Sequence, residues 1–164
     1  MTDIWIYADI ADELEIFGTY MVKFGVAVAL SGLVGIERRL HGRWAGIRTH
    51  MAVAMGAALF TIIGMEISAE LMGDSKTRGI DPTRIVQGIA TGIGFLGAGT
   101  ILKLSKEVEV KGLTTASTIW LSAALGTACG LERYSLAVAA TVVSLLVLAV
   151  LRPLDKKFFG AESP

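Results

Sequence analysis

Five long apolar runs, separated by short stretches that hold nearly all of the charge, make up most of the chain. The runs cover residues 17–36, 51–67, 85–102, 113–131 and 134–151. At about 1.5 Å rise per residue, each reaches roughly 25–30 Å, the thickness of a hydrocarbon core. A soluble helical domain would carry a polar stripe at helical spacing in every segment. Here the last three runs contain no charge, and only Lys23 and Glu66 fall inside the first two. Both sit near a run's end, where a long side chain reaches the headgroups. The pattern predicts an all-α integral membrane protein with five transmembrane helices. It forms a single transmembrane domain over 1–155, followed by a short tail over 156–164 with no C-terminal soluble domain.

Placement of the basic residues sets the orientation. With the N-terminus outside, the inner segments carry ten Lys and Arg and the outer ones four. The reverse arrangement violates the positive-inside rule, so the expected topology is N-out, C-in. The start is acidic (Asp3, Asp9, Asp12, Glu13, Glu15) and lacks the basic region of a signal peptide. Ile6, Ile10, Leu14 and Phe17 recur at helical spacing. Two readings are open: an interfacial amphipathic helix anchored by Trp5 and Tyr7, or an extension of the first span.

Glycine distinguishes the helices. The third run holds Gly88, Gly92, Gly94, Gly97 and Gly99, whereas the fifth has none. In lipid, small residues let helix backbones approach where burying Leu against Leu gains little. A central, glycine-rich third helix and a peripheral fifth are therefore expected. Gly88/Gly92 and Gly126/Gly130 form small-xxx-small pairs, and the second pair with an exposed small face suggests a homo-oligomer, a dimer first. For Gly97-Ala98-Gly99, followed by Thr100, two readings are open: close packing, or a loosened or broken helix. Gly92-Ile93-Gly94-Phe95-Leu96-Gly97 matches a dinucleotide fingerprint in letters only, since that motif needs a preceding strand, a following helix and an acidic residue about 20 positions on, whereas this one sits in the middle of a membrane span.

Composition narrows the classes further. The 164 residues are 53% hydrophobic and 18% charged, with a mean hydropathy of +0.62 and zero net charge. Neutrality argues against a nucleic-acid binder, and the single Cys129 excludes an intrachain disulfide or a cysteine metal cluster.

The densest polar stretch is 37–50, with Glu37, Arg38, Arg39, His41, Arg43, Arg48, Thr49 and His50. Guanidinium forks suit phosphate and carboxylate, so an anionic lipid, a soluble phosphate or a partner's acidic surface fits this cytoplasmic loop. The bland reading is topology determination with pairing to Glu37. Arg48-Thr49-His50 stands where the second helix begins and is suited to cap its free amides. His41 and His50 lack the further ligands of a metal set. No nucleophile–base pattern appears, so no enzyme, metal or cofactor is expected. A hard cation or a proton relay needs intramembrane carboxylates. The spans instead offer Gln87, Thr91, Thr100, Thr114, Thr115, Ser117, Thr118, Ser122 and Thr127, read first as interhelical hydrogen-bonding groups. Asp81-Pro82 reads as an N-cap and N1 proline opening the third helix.

Three stretches carry a resemblance: 32–60 (GLVGIERRLHGRWAGIRTHMAVAMGAALF), 81–102 (DPTRIVQGIATGIGFLGAGTIL) and 110–131 (VKGLTTASTIWLSAALGTACGL). Jointly they resemble the membrane domain of the MgtC/SapB family. The resemblance implies a bacterial inner-membrane protein linked to magnesium limitation and virulence. It implies a non-enzymatic regulator of other membrane proteins, such as ATP synthase or ion and phosphate transport. The alternative it implies is a transporter or channel for Mg2+ or another small ion. It carries over Glu37, Arg38, Arg43, Gly46, Arg48 and Thr49, then Asp81, Arg84, Gln87 and the glycines of the third run. Gly112, Leu113, Thr114 and Thr115 follow at the fourth. Glu37, Arg38, Arg43, Arg48, Thr49, Asp81, Arg84, Gln87, Thr114 and Thr115 are thus the expected contacts with a partner or ligand. Many members continue into a soluble ACT-like domain, whereas only residues 152–164 follow the last run here. Thr114 stands where some members have asparagine.

Overall fold

The computed structural model describes residues 2–72, 81, 83–103 and 110–159. Five α-helices dominate them: α1 (Thr2–Leu40), α2 (Ile47–Met72), α3 (Thr83–Thr100), α4 (Leu113–Gly130) and α5 (Tyr134–Phe159). A two-residue ladder pairs β1 (Leu102–Lys103) with β2 (Val110–Lys111), antiparallel, so that Leu102 faces Lys111. It trims the third run, whose helix ends at Thr100 rather than Leu102. Three helices among the described residues are long and apolar enough to cross a membrane: Asp12–Leu40, Ile47–Leu71 and Tyr134–Leu151. α3 and α4 have 18 residues each, diluted by Gly, Ser and Thr.

α1 is continuous from Thr2, so the N-terminal segment extends the first span and does not form a separate helix. α5 likewise runs to Phe159, making the first residues of the expected tail helical. Residues 160–164 lie outside the described ones, as do Lys76, Arg78, Pro82 and Lys106 of the expected loops.

The helix ends follow from local chemistry. α1 closes in a Schellman arrangement: Arg43 N–H donates to the Arg38 carbonyl (3.0 Å) and Gly42 N–H to that of Arg39 (3.1 Å). Gly42 takes the left-handed position at φ +67° that this cap requires. α4 ends the same way, through Arg133 to Ala128 (2.8 Å) and Glu132 to Cys129 (3.0 Å). There, however, the left-handed residue is Glu132, at φ 60°. At α3, Asp81 Oδ1 accepts the Thr83 amide at 2.9 Å, the expected N-cap. The Thr83 hydroxyl, and after it that amide, hold the Asp81 carboxyl below its ordinary value.

The center of the bundle is α4, which packs against all four other helices. Ten of its residues are buried, whereas Gly97 is the one buried residue of α3. The expectation of a central third helix is therefore corrected. Glycines at 126 and 130 find a backbone to lie against, and most of those on α3 do not. A Cβ on Gly126 would come 2.0 Å from the Ala54 carbonyl oxygen, and one on Gly130 would come 2.9 Å from that of Ala58. Gly126-xxx-Gly130 thus seats on Ala54-xxx-Ala58, with α2 and α4 running parallel. This face is consumed within the chain and is not offered to a second copy. By contrast, no atom lies within 4 Å of a Cβ built on Gly88, Gly92, Gly94 or Gly99. Their expected role in helix packing is not realised within the chain. α3 touches α4 near Gly97 and Ala116, and it continues unbroken through Gly97-Ala98-Gly99. α5 is peripheral, packing on α1 and α4.

Hydroxyls in the bundle bond back along their own helices. Thr91, Ser117 and Ser122 donate to carbonyls four residues earlier, and Thr100 and Thr118 to carbonyls three residues earlier. The interhelical role expected for these five is not what they do, because a carbonyl of the same helix is always within reach. The two charges inside the runs are tethered between helices instead. Lys23 Nζ lies 2.9 Å from Glu132 Oε1, and the Tyr20 hydroxyl donates to Glu66.

Candidate functional site

At the end of the bundle where α1 turns into α2, a glycine permits close approach. A Cβ on Gly35 would meet Ile47 Cα at 2.7 Å. The last turn of α1 is thereby pressed against the first turn of α2, and the polar residues at this corner fold inward. Arg38 is only 3% exposed, with its Nε donating to Glu37 Oε2. Glu37 is itself largely covered, and its Oε1 lies 2.9 Å from His41 Nδ1. That ring proton points to the Glu37 carbonyl oxygen, 2.8 Å away. His50 is fully buried, and its Nδ1 donates to the Gly46 carbonyl at 2.8 Å. A buried Arg–Glu pair costs desolvation that is recovered only in good geometry, and here the two side chains form the covered base of the corner.

On that base stands an exposed rim. Arg39, Arg48 and Thr49 face outward, with Leu40 at 78% and Trp44 at 69% exposure. Arg43 is half-buried. α2 begins at Ile47, earlier than the run at 51 suggested, so Thr49 lies inside the helix and makes no cap. Gly46 accepts the first backbone bond, from the His50 amide at 3.2 Å. The remaining expected residues divide between the two ends. Thr114, exposed, and Thr115, buried, open α4 near the same end as the arginine turn. Asp81, Arg84 and Gln87 begin α3 at the opposite end, where Ile85 meets Gly64. The structure therefore does not gather the expected residues into one site. Among the described residues, no three of His, Cys, Asp and Glu converge as a metal would require.

Sequence reasoning passed over Leu40 and Trp44 as contacts. The available signal was a tryptophan standing alone among arginines, a pairing enriched where proteins bind one another.

Long apolar helices, glycine-mediated seams and a cationic, aromatic rim at one end define an α-helical membrane protein. Residues 24–157 match the MgtC family, and the chain belongs to it. It is 47% identical over 128 residues to "Protein MgtC" of Brucella abortus (strain 2308), covering 78% of this chain and 49% of that one. It is 38% identical over 141 residues to "Protein MgtC" of Salmonella typhimurium (strain 14028s), covering 86% and 56%. It is also 38% identical over 135 residues to "Putative magnesium transporter YhiD" of Escherichia coli (strain K12), covering 82% and 61%. The chain thus spans about half to three-fifths of the length of these relatives. No solved structure matches it.

Proposed function

We propose that the chain is the membrane portion of a regulator in the bacterial inner membrane, crossing it five times with the N-terminus outside. It works without catalysis, by docking other membrane proteins such as ATP synthase or an ion or phosphate transporter when magnesium is scarce. The observation that carries this reading is the arginine turn. Trp44, Leu40, Arg39 and Arg48 are exposed together on a base fixed by the buried Glu37–Arg38 pair. Arg and Trp on a preorganised support are the residues that dominate interface energetics. The ten-to-four distribution of basic residues supports placing this turn in the cytoplasm.

A photo-crosslinking residue at position 44, introduced in living bacteria under magnesium limitation, tests the proposal. A discrete crosslinked membrane protein, lost on Arg39→Gln plus Arg48→Gln, is expected. Normal membrane levels with no crosslinked partner would sink the idea. The transporter name carried by the YhiD relative favours a second reading, passage of Mg2+ along α3. Magnesium uptake into proteoliposomes, abolished by Gln87→Leu, would establish that reading over the first.

A further inference from the structure

α2 and α3 pack sparsely against each other. One close approach is Gly64 against Ile85, where a Cβ on Gly64 would lie 2.6 Å from Ile85 Cδ1. From there a groove of about 710 Å³ opens between them, lined from Gly64 back to Ala52 on α2 and from Arg84 to Leu96 on α3. Twelve residue steps along each helix give a length of about 18 Å. The walls are apolar, with Phe60, Ile89 and Ile93 among them, and Arg84 stands at the closed end. Gly88 and Gly92 form part of the floor, with no atom near where their side chains would be. Among the described residues Arg84 makes no ion pair within 4 Å, and the one carboxylate that senses its charge is Asp81, which is already occupied by its hydrogen bonds to Thr83.

We propose that this groove holds one acyl chain of an anionic phospholipid, with the lipid phosphate on Arg84. The length supports this, because about 18 Å is close to the depth of one leaflet's hydrocarbon, roughly half of ~30 Å. The charge supports it too: one cation at the head of an otherwise apolar slot complements an anionic head on an apolar tail. A transmembrane helix is a poorer fit, because an apolar helix face would leave the Arg84 guanidinium at the head of the groove without an anion. Water is excluded by walls that offer it no hydrogen bonds. Gly88 and Gly92, two of the four α3 glycines that find no helix partner, thus acquire a reason: side chains there would fill the slot.

The test is native mass spectrometry of the full chain released from vesicles holding equal phosphatidylglycerol and phosphatidylcholine with the same acyl chains. The wild type should retain phosphatidylglycerol about fivefold over phosphatidylcholine, the worth of one basic residue beside an anionic surface. Arg84→Gln should bring the ratio near one, and Arg84→Lys should keep most of it. Gly92→Leu should release the bound lipid altogether while the helical circular dichroism is unchanged. If Gly92→Leu does not fold, the two Arg84 variants decide. Equal retention of both lipids by the wild type would overturn the proposal. So would a preference that survives Arg84→Gln, or a lipid-free dimer that Gly92→Leu converts to monomer.

Discussion

Gly126 of α4 lies directly on the backbone of Ala54 in α2: a methyl group at 126 would sit 2.0 Å from the Ala54 carbonyl oxygen and 2.8 Å from its Cα. The neighbour is main chain, so it has no rotamer with which to retreat. Gly126→Ala must therefore push the two helices apart, at a cost of about 2–3 kcal/mol, the upper part of the overpacking range. Gly94→Ala is the matched comparison, since open space surrounds it and the helix gains propensity by about 0.5–1 kcal/mol. Thermal unfolding in mild detergent should separate the two variants, with opposite signs relative to wild type.

Gly112 joins β2 to α4 at φ +98°, and a Cβ there would come 2.0 Å from the Thr100 carbonyl oxygen. Backbone strain and overlap act together at this position. Gly112→Ala is expected to cost at least about 2 kcal/mol. Protease sensitivity around β1 and β2 should rise in the variant; an unchanged cleavage pattern and melting midpoint would refute the assignment.

Neighbouring arginines at the arginine turn should behave differently. Arg38→Gln leaves the covered Glu37 carboxylate without its cation, a loss of about 3–5 kcal/mol. Arg39→Gln, on the exposed rim, should change stability by no more than about 0.5 kcal/mol. Yield of folded protein and unfolding midpoint measure the contrast. Equal effects would mean that Arg38 is not the buried member.

Glu132 holds two roles in one residue. Its hydrogen bond and charge contact with Lys23 depress its carboxyl pKa. A depressed acid contributes stability that is complete above the ordinary glutamate value of about 4.3 and is lost as pH falls through the lower folded value. The unfolding midpoint should therefore drop on acidification below about pH 4.3, and drop less in Lys23→Gln. Its left-handed backbone adds an ordering among variants. Glu132→Gly and Glu132→Ala both lose the ion pair, but only alanine keeps the Cβ penalty, so the glycine variant should be the more stable. The reverse order would exclude backbone strain at 132.

Much of the architecture was legible because charge is confined to the connections. Lys23 and Glu66, the exceptions, mark the tethers between helices. The Asp81 cap and the peripheral α5 were also readable from residue type alone. The central helix was not. A count of glycines favours α3, yet proximity depends on what faces each one, and only at 126 and 130 does a second small-xxx-small pair stand opposite. That pair, Ala54 and Ala58, is in the sequence, but its register against α4 is a tertiary fact. The candidate site was half legible. The arginine turn stood out by density, whereas the division into a buried base and an exposed rim depends on Gly35, which presses Glu37 and Arg38 inward. Arg84 and Gln87 share a motif with the turn but lie at the other end of the bundle, and linear spacing carries no sign of that separation.

The seam between α2 and α4 also constrains how the protein is made. α2 is synthesised well before its partner, with about forty residues between Met72 and Leu113. At roughly 5–20 residues per second, the ribosome takes ~2–8 s to supply them. Through that interval, and until residues 126–130 follow, the Ala54/Ala58 stripe faces lipid or the insertion machinery, its helix held by the hairpin with α1 and by α3 at Gly64. Assembly is complete when α4 arrives beside α2 in parallel, so a chain released before residue 130 would leave its tightest joint unformed.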